Sequence, residues 1–194
     1  MQNHSDLHSS TILPGCCSYY IVGWNQAFDT LMKIVESGRR EKHNFAPELF
    51  CLSGMEGFSF DLKIWINDYL ETLEQEEDQA QMEKVCRKLL DLFAWKEEAP
   101  ADLRFRLASS MLSLDKKEEA GDFCREWYLQ DEDDPTAATA LIYTWIAGGR
   151  LKEAQKIVDR WMEKEEGYTE ENAEIFGAAS LLRTVSGNIS VERN

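Results

Sequence analysis

The residues able to do chemistry are few and poorly grouped. His4 and His8 stand four apart and the adjacent thiols Cys16 and Cys17 follow, a set from which a metal site could be imagined. No known ligand frame has that spacing, and neighbouring cysteines suit tetrahedral coordination badly. His43 sits in a basic polar turn with no serine or cysteine partner placed beside it. Cys86 and Cys124 recur at apolar positions, where a thiol behaves as a small hydrophobe. The run Asp131 to Asp134 hints at calcium but lacks the glycine and final glutamate of a helix-loop-helix site, so it reads as a helix cap with solvated neighbours. Carboxylates are scattered along exposed faces, which singles out no acid and base pair. Gly148-Gly149 joins two helices rather than a strand to a helix, so it is not a phosphate loop. The expectation is a chain that is not an enzyme and carries neither metal nor cofactor.

What remains to position side chains is a series of helices. Asp134 suits the cap and Pro135 the first turn of one, Gly148-Gly149 ends it, and Leu151, Ala154, Ile157, Val158, Trp161 and Met162 stripe the next. Residues 1–18 show no periodicity and read as a flexible leader. A stripe of Trp24, Ala27, Phe28, Leu31, Met32 and Val35 then predicts a helix from Tyr19. The piece from Phe45 to Leu52 contains Pro47 and reads equally as a short helix or an extended connector. Ser59 or Asp61 caps a helix carrying Leu62, Trp65, Ile66, Tyr69, Leu70 and Leu73. Further stripes begin at Met82 and at Leu103. Asp115 and Glu118 have the spacing of a capping box, starting a helix that buries Ala120, Phe123, Cys124, Trp127 and Tyr128. Thr169 caps a closing helix that stops near Ser186-Gly187-Asn188.

Composition narrows the function classes. With 194 residues, 43% of them hydrophobic, the chain can fill a core. Its 21 Lys and Arg against 36 Asp and Glu give a net charge of -15, which repels nucleic-acid phosphates and anionic lipid and favours a basic partner. No apolar run is long enough for a bilayer, and the start lacks the pattern of a secretion signal. Five cysteines then read as reduced thiols in a cytoplasmic protein.

The helices repeat. Glu119-Ala120 lies over Glu153-Ala154, and Phe123, Cys124, Trp127 and Tyr128 fall on Ile157, Val158, Trp161 and Met162, an offset of 34 residues. The same shift brings Cys86, Leu89, Leu90 and Phe93 beneath Ala120, Phe123, Cys124 and Trp127. A two-helix period of this length, with Gly149-Arg-Leu-Lys-Glu-Ala154 at the turn, resembles the tetratricopeptide repeat. The resemblance implies an all-α fold of stacked antiparallel helix hairpins, an α-solenoid. It gives a single helical-repeat domain over 19–194, with its best units at 101–134 and 135–168, a degenerate unit at 61–100 and a closing helix at 169–186. Ala108 and Ile142 stand where the family usually has glycine, and Trp127 and Trp161 where it usually has alanine, so helix spacing is expected to widen.

In that family the first helices line a groove that holds a peptide. Carried over by position, the groove residues are Asp102, Phe105, Ser109 and Leu112 in one unit and Thr136, Thr139, Tyr143 and Ile146 in the next. The family's clamp for a peptide C-terminal carboxylate is missing from these positions. Arg104 and Arg106, with Lys84, Arg87 and Lys88 before them, form a basic cluster that could receive an acidic motif or pair with Glu83, Glu97 and Glu98. The resulting expectation is a protein-interaction adaptor or scaffold with a protein or peptide partner, and no nucleic acid or membrane. The alternatives are a self-associating structural protein and an acidic mimic that blocks a basic nucleic-acid-binding partner.

Overall fold

The computed structural model describes residues 16–53, 61–164 and 172–192, and among these the fold is all-helical with no strand. The helices are α1 (Cys16–Glu41), α2 (Phe50–Ser53), α3 (Leu62–Gln75), α4 (Gln79–Leu92), α5 (Ala101–Ser113), α6 (Lys117–Tyr128), α7 (Pro135–Ala147), α8 (Leu151–Lys164) and α9 (Ala173–Glu192). The chain divides into two compact units, Met1–Leu73 and Glu74–Asn194.

In the first unit α1 and α3 meet through aromatic rings. Trp24 stacks on Trp65 at 5.2 Å and on Tyr69 at 5.8 Å, and the Tyr69 hydroxyl donates to Asn25 Oδ1. Phe28, Leu31, Met32 and Val35 are buried with Ile66, Leu70 and Leu73, as their helical spacing requires. Asp61 caps α3 by accepting from the backbone N–H of Lys63 and Ile64. The Phe45–Leu52 piece resolves into a loop, held by Arg39 bonding the carbonyls of Phe45 and Ala46, followed by the one-turn α2. Helix α1 starts at Cys16, three residues before the expected Tyr19.

In the second unit each helix from α4 to α9 packs on its successor, and α5 on α7 and α7 on α9 also touch. Helix α7 lies at the centre: Ala137, Ala138, Thr139, Ala140, Leu141, Ile142, Thr144 and Trp145 are all buried. Asp134 accepts from the N–H of Thr136 and Ala137, and Pro135 opens the helix. Ala120 and Ala154 have no exposed surface, and Trp127 and Trp161 are buried 34 positions apart.

The hairpin turns share one backbone geometry. Gly149 takes φ 73 and Asp115 takes φ 60. Arg150 N–H bonds the Trp145 carbonyl as Lys116 N–H bonds that of Met111, and Gly149 N–H bonds Ile146 as Asp115 N–H bonds Leu112. Both turns are Schellman closures, 34 residues apart. This corrects the capping box expected at Asp115. The N-cap of α6 is Lys116, with no side-chain cap bond, and Asp115 is the left-handed turn residue, its carboxylate 2.9 Å from Lys117 Nζ. The closing helix expected to end near Ser186 continues to Glu192, since one glycine at position 187 lowers helix propensity without ending a helix. Thr169, expected to cap it, lies outside the described residues.

Candidate interaction surface

The eight residues assigned to a groove do not share one environment. On α5, Asp102 and Ser109 are exposed, and Phe105 and Leu112 are half-buried. On α7, Thr136, Tyr143 and Ile146 are half-buried. Phe105, Tyr143 and Ile146 pack sideways against the core of the second unit while keeping an exposed edge. Thr139 departs from the expectation: it has no exposed surface, and its hydroxyl makes no hydrogen bond. The reason is that α7 packs against α5, α6, α8 and α9, so little of its circumference stays open. A clue lay in the sequence, because PTAATALIYTWIA is apolar nearly all round, the mark of an enclosed helix.

The basic cluster is largely neutralised within the chain. Arg106 bridges Asp102, at 3.0 Å, and Glu74. Burial pulls its guanidinium below the ordinary value, but the bonds and charges of those two carboxylates carry it above. Arg104 lays its guanidinium 5.5 Å from the Trp127 ring centroid, and its pKa is lowered by burial, in part restored by the charge of Asp134. Arg87 pairs with Glu83 and, across to α6, with Glu119, while Lys116 reaches Glu83 at 2.7 Å. Burial pushes the Glu83 carboxyl up, and the hydrogen bonds and charges of Lys116 and Arg87 outweigh it, so the net shift is downward. Arg160 bonds the Tyr128 hydroxyl at 3.0 Å and pairs with Glu132.

Cys51, Cys86 and Cys124 are free thiols. Burial drives Cys86 and Cys124 up to about 12, which keeps them protonated and unreactive. Among the described residues no group of three or more His, Cys, Asp or Glu is placed to hold a metal. His4 and His8 lie outside them, and the side chains of Cys16 and Cys17 are likewise not described. No helix among the described residues is long and apolar enough to cross a membrane.

Sequence reasoning missed two concavities. One, of about 440 Å3 in the first unit, runs along α1 past Gly23, Ala27, Thr30 and Ile34 to Leu62 and Trp65 of α3. The other, of about 760 Å3, lies between α6 and the end of α7 and is lined by Glu118, Gly121, Asp122, Trp145 and Arg150 among others. The latter's residues all serve helix or turn in the sequence pattern, and nothing local announces that they meet.

Compared with known proteins, no family model, curated protein or solved structure matches the chain significantly.

Proposed function

We propose that this chain is a non-enzymatic protein-interaction module, an adaptor or scaffold built from tetratricopeptide-like hairpins in a solenoid, whose partner is a peptide or protein. The observation that carries this reading is the recurrence of one hairpin turn, with matching left-handed residues and closing bonds, at Asp115 and Gly149. Units that repeat at the backbone level present equivalent surfaces side by side, and such surfaces suit an extended partner better than a single reacting centre. The working surface is the open part of α5 and α7: Phe105, Leu112, Tyr143 and Ile146 supply rigid apolar edges, and Asp102, Ser109 and Thr136 supply polar contacts. Thr139 is left out because it is enclosed. Free thiols at Cys51, Cys86 and Cys124 support a reducing, cytoplasmic setting.

The test is capture of partners from the source cell on the immobilised chain, beside a Phe105→Ala, Tyr143→Ala double variant with an unchanged circular dichroism spectrum. Proteins retained by the parent and lost by the variant support the reading. Identical retention by both, or retention by neither, overturns it. Self-association is a second reading, favoured by the exposed Leu181 on α9 and Leu129 after α6. A strict monomer by light scattering at high concentration removes it. The acidic-mimic reading is weakened by Glu74, Glu83, Asp102, Glu119 and Glu132, all of which pair with basic residues of the chain.

A further inference from the structure

The cleft between the first half of α6 and the end of α7 holds chemistry that the α5 and α7 surface does not use. Its floor is Trp145, only 7% exposed, whose indole Nε1–H has no hydrogen-bond partner. Gly121 of α6 faces the edge of that ring: a Cβ there would sit 3.6 Å from Cδ1 and 3.7 Å from Nε1, at ordinary contact distance. Glu118 and Asp122, one turn apart on α6, line the cleft and are exposed. Among the described residues neither takes part in an ion pair. The facing wall is the C-terminal turn of α7, the negative end of that helix's dipole. Two basic residues also line the cleft, but Lys117 is matched by Asp115 at 2.9 Å and Arg150 by Glu153 at 3.4 Å. The unmatched charge in the cleft is therefore negative.

A cation already rests on the ring. The Arg150 guanidinium carbon lies 4.8 Å from the Trp145 ring centroid, and the side chain is 43% exposed, so it can swing into solvent. A planar guanidinium is the cation that stacks best on an indole face. The chain's charge of -15 favours encounter with a basic polypeptide.

We propose that this cleft is a recognition site for an arginine side chain of a partner polypeptide, which takes the place Arg150 holds over Trp145. Glu118 and Asp122 neutralise its charge. Arg150 is a built-in competitor that keeps the ring covered until the partner arrives. The site stands on α6, the end of α7 and the turn that follows it, and holds whether or not the α5 and α7 surface takes a peptide.

The experiment uses the full chain labelled with nitrogen-15, with the Trp145 indole N–H signal assigned by its loss in Trp145→Phe. The probe is acetyl-Arg-Gly-Arg-amide at fixed ionic strength and pH 7, beside acetyl-Asp-Gly-Asp-amide and the small cation spermidine. The arginine peptide is expected to shift the Trp145 signal saturably, and the acidic peptide to leave it in place. Glu118→Gln with Asp122→Asn should weaken binding about tenfold, the sum of two modest carboxylate contacts. Arg150→Ala should tighten it by roughly threefold or more, because the bare ring is then the resident state. The proposal is overturned by no saturable shift at Trp145, by equal response to the acidic peptide, by spermidine binding as tightly as the arginine peptide, or by an Arg150→Ala variant that binds more weakly. The Phe105→Ala, Tyr143→Ala variant is expected to keep the arginine site, so failure here and failure of the adaptor surface are read separately.

Discussion

Replacing Gly149 by alanine and Asp115 by glycine is a paired test of the 34-residue correspondence at the level of backbone geometry. Gly149 holds φ 73, and a Cβ added to it would meet nothing within 4 Å, so crowding by neighbours contributes nothing to the cost of Gly149→Ala. What remains is the intrinsic penalty of an L-residue in the left-handed region, about 1–2 kcal/mol. Alanine also restricts the unfolded chain, which returns about 0.4–1 kcal/mol. The net expected loss is about 1 kcal/mol, or a fall in Tm of about 2–4 °C for a chain of this size. Asp115 holds φ 60 with a side chain 84% exposed, and its pair with Lys117 is open to solvent and contributes little. Asp115→Gly relieves the same backbone penalty and gives up part of the gain as unfolded-chain entropy, for a net stabilisation of about 0.5 kcal/mol. Urea unfolding followed by circular dichroism, with the slope m unchanged, reads both. The signs must be opposite. An unaltered midpoint for Gly149→Ala, or a lowered one for Asp115→Gly, would refute the shared left-handed turn and with it the structural argument for repeated units.

Three further outcomes follow from particular contacts. Gly121→Ala should stabilise the chain by about 1 kcal/mol, since alanine is the better helix former and its methyl would rest at ordinary contact distance from Trp145, whereas Gly38→Ala drives a Cβ to 2.4 Å from the Phe45 ring and should lower the melting temperature. Glu83 has a folded pKa below its ordinary 4.5, so its contribution is complete above pH 4.5 and is lost as the pH falls through the lower folded value. Glu83→Gln should therefore cost about 1 kcal/mol at pH 7 and nearly nothing at strongly acid pH. A difference from the parent that stays constant with pH would contradict the Lys116 and Arg87 pairing. Cys86 and Cys124, raised from 9.0 to about 12 by burial, should resist iodoacetamide at pH 8 in the folded chain while half-buried Cys51 reacts, as mass spectrometry of digests will show. Their protonated state adds stability that is full below pH 9.0 and lost as the pH climbs towards about 12, so alkaline unfolding should come later in Cys86→Ser, Cys124→Ser if packing loss is corrected at pH 7.

Much of the secondary structure was legible in the sequence because its signals are local. Asp61 and Asp134 cap helices where an acceptor two or three residues ahead of free N–H groups predicts it, and the apolar stripes of α1, α3, α4, α6 and α8 are buried or half-buried as their spacing requires, with Ala27 of α1 the exposed exception. The candidate surface was only partly legible. Position within a repeat placed Phe105 and Tyr143 at half-open edges but could not place Thr139, whose exposure depends on how many neighbours α7 acquires.

The sequence by itself therefore determined the helical class, the starts of α3 and α7, and a net charge of -15, all of which depend on neighbours within a few positions or on simple sums. Only the tertiary structure decided that Asp115 turns the chain instead of capping it, and that Glu83 is paired both from its own helix and from the turn ahead of α6. It alone brought Glu118 and Asp122 of one helix to Trp145 of the next. The physical reason is that burial, charge pairing and clefts are properties of surfaces that meet, and helical periodicity specifies which face is turned inward without specifying which face of another helix it will find there.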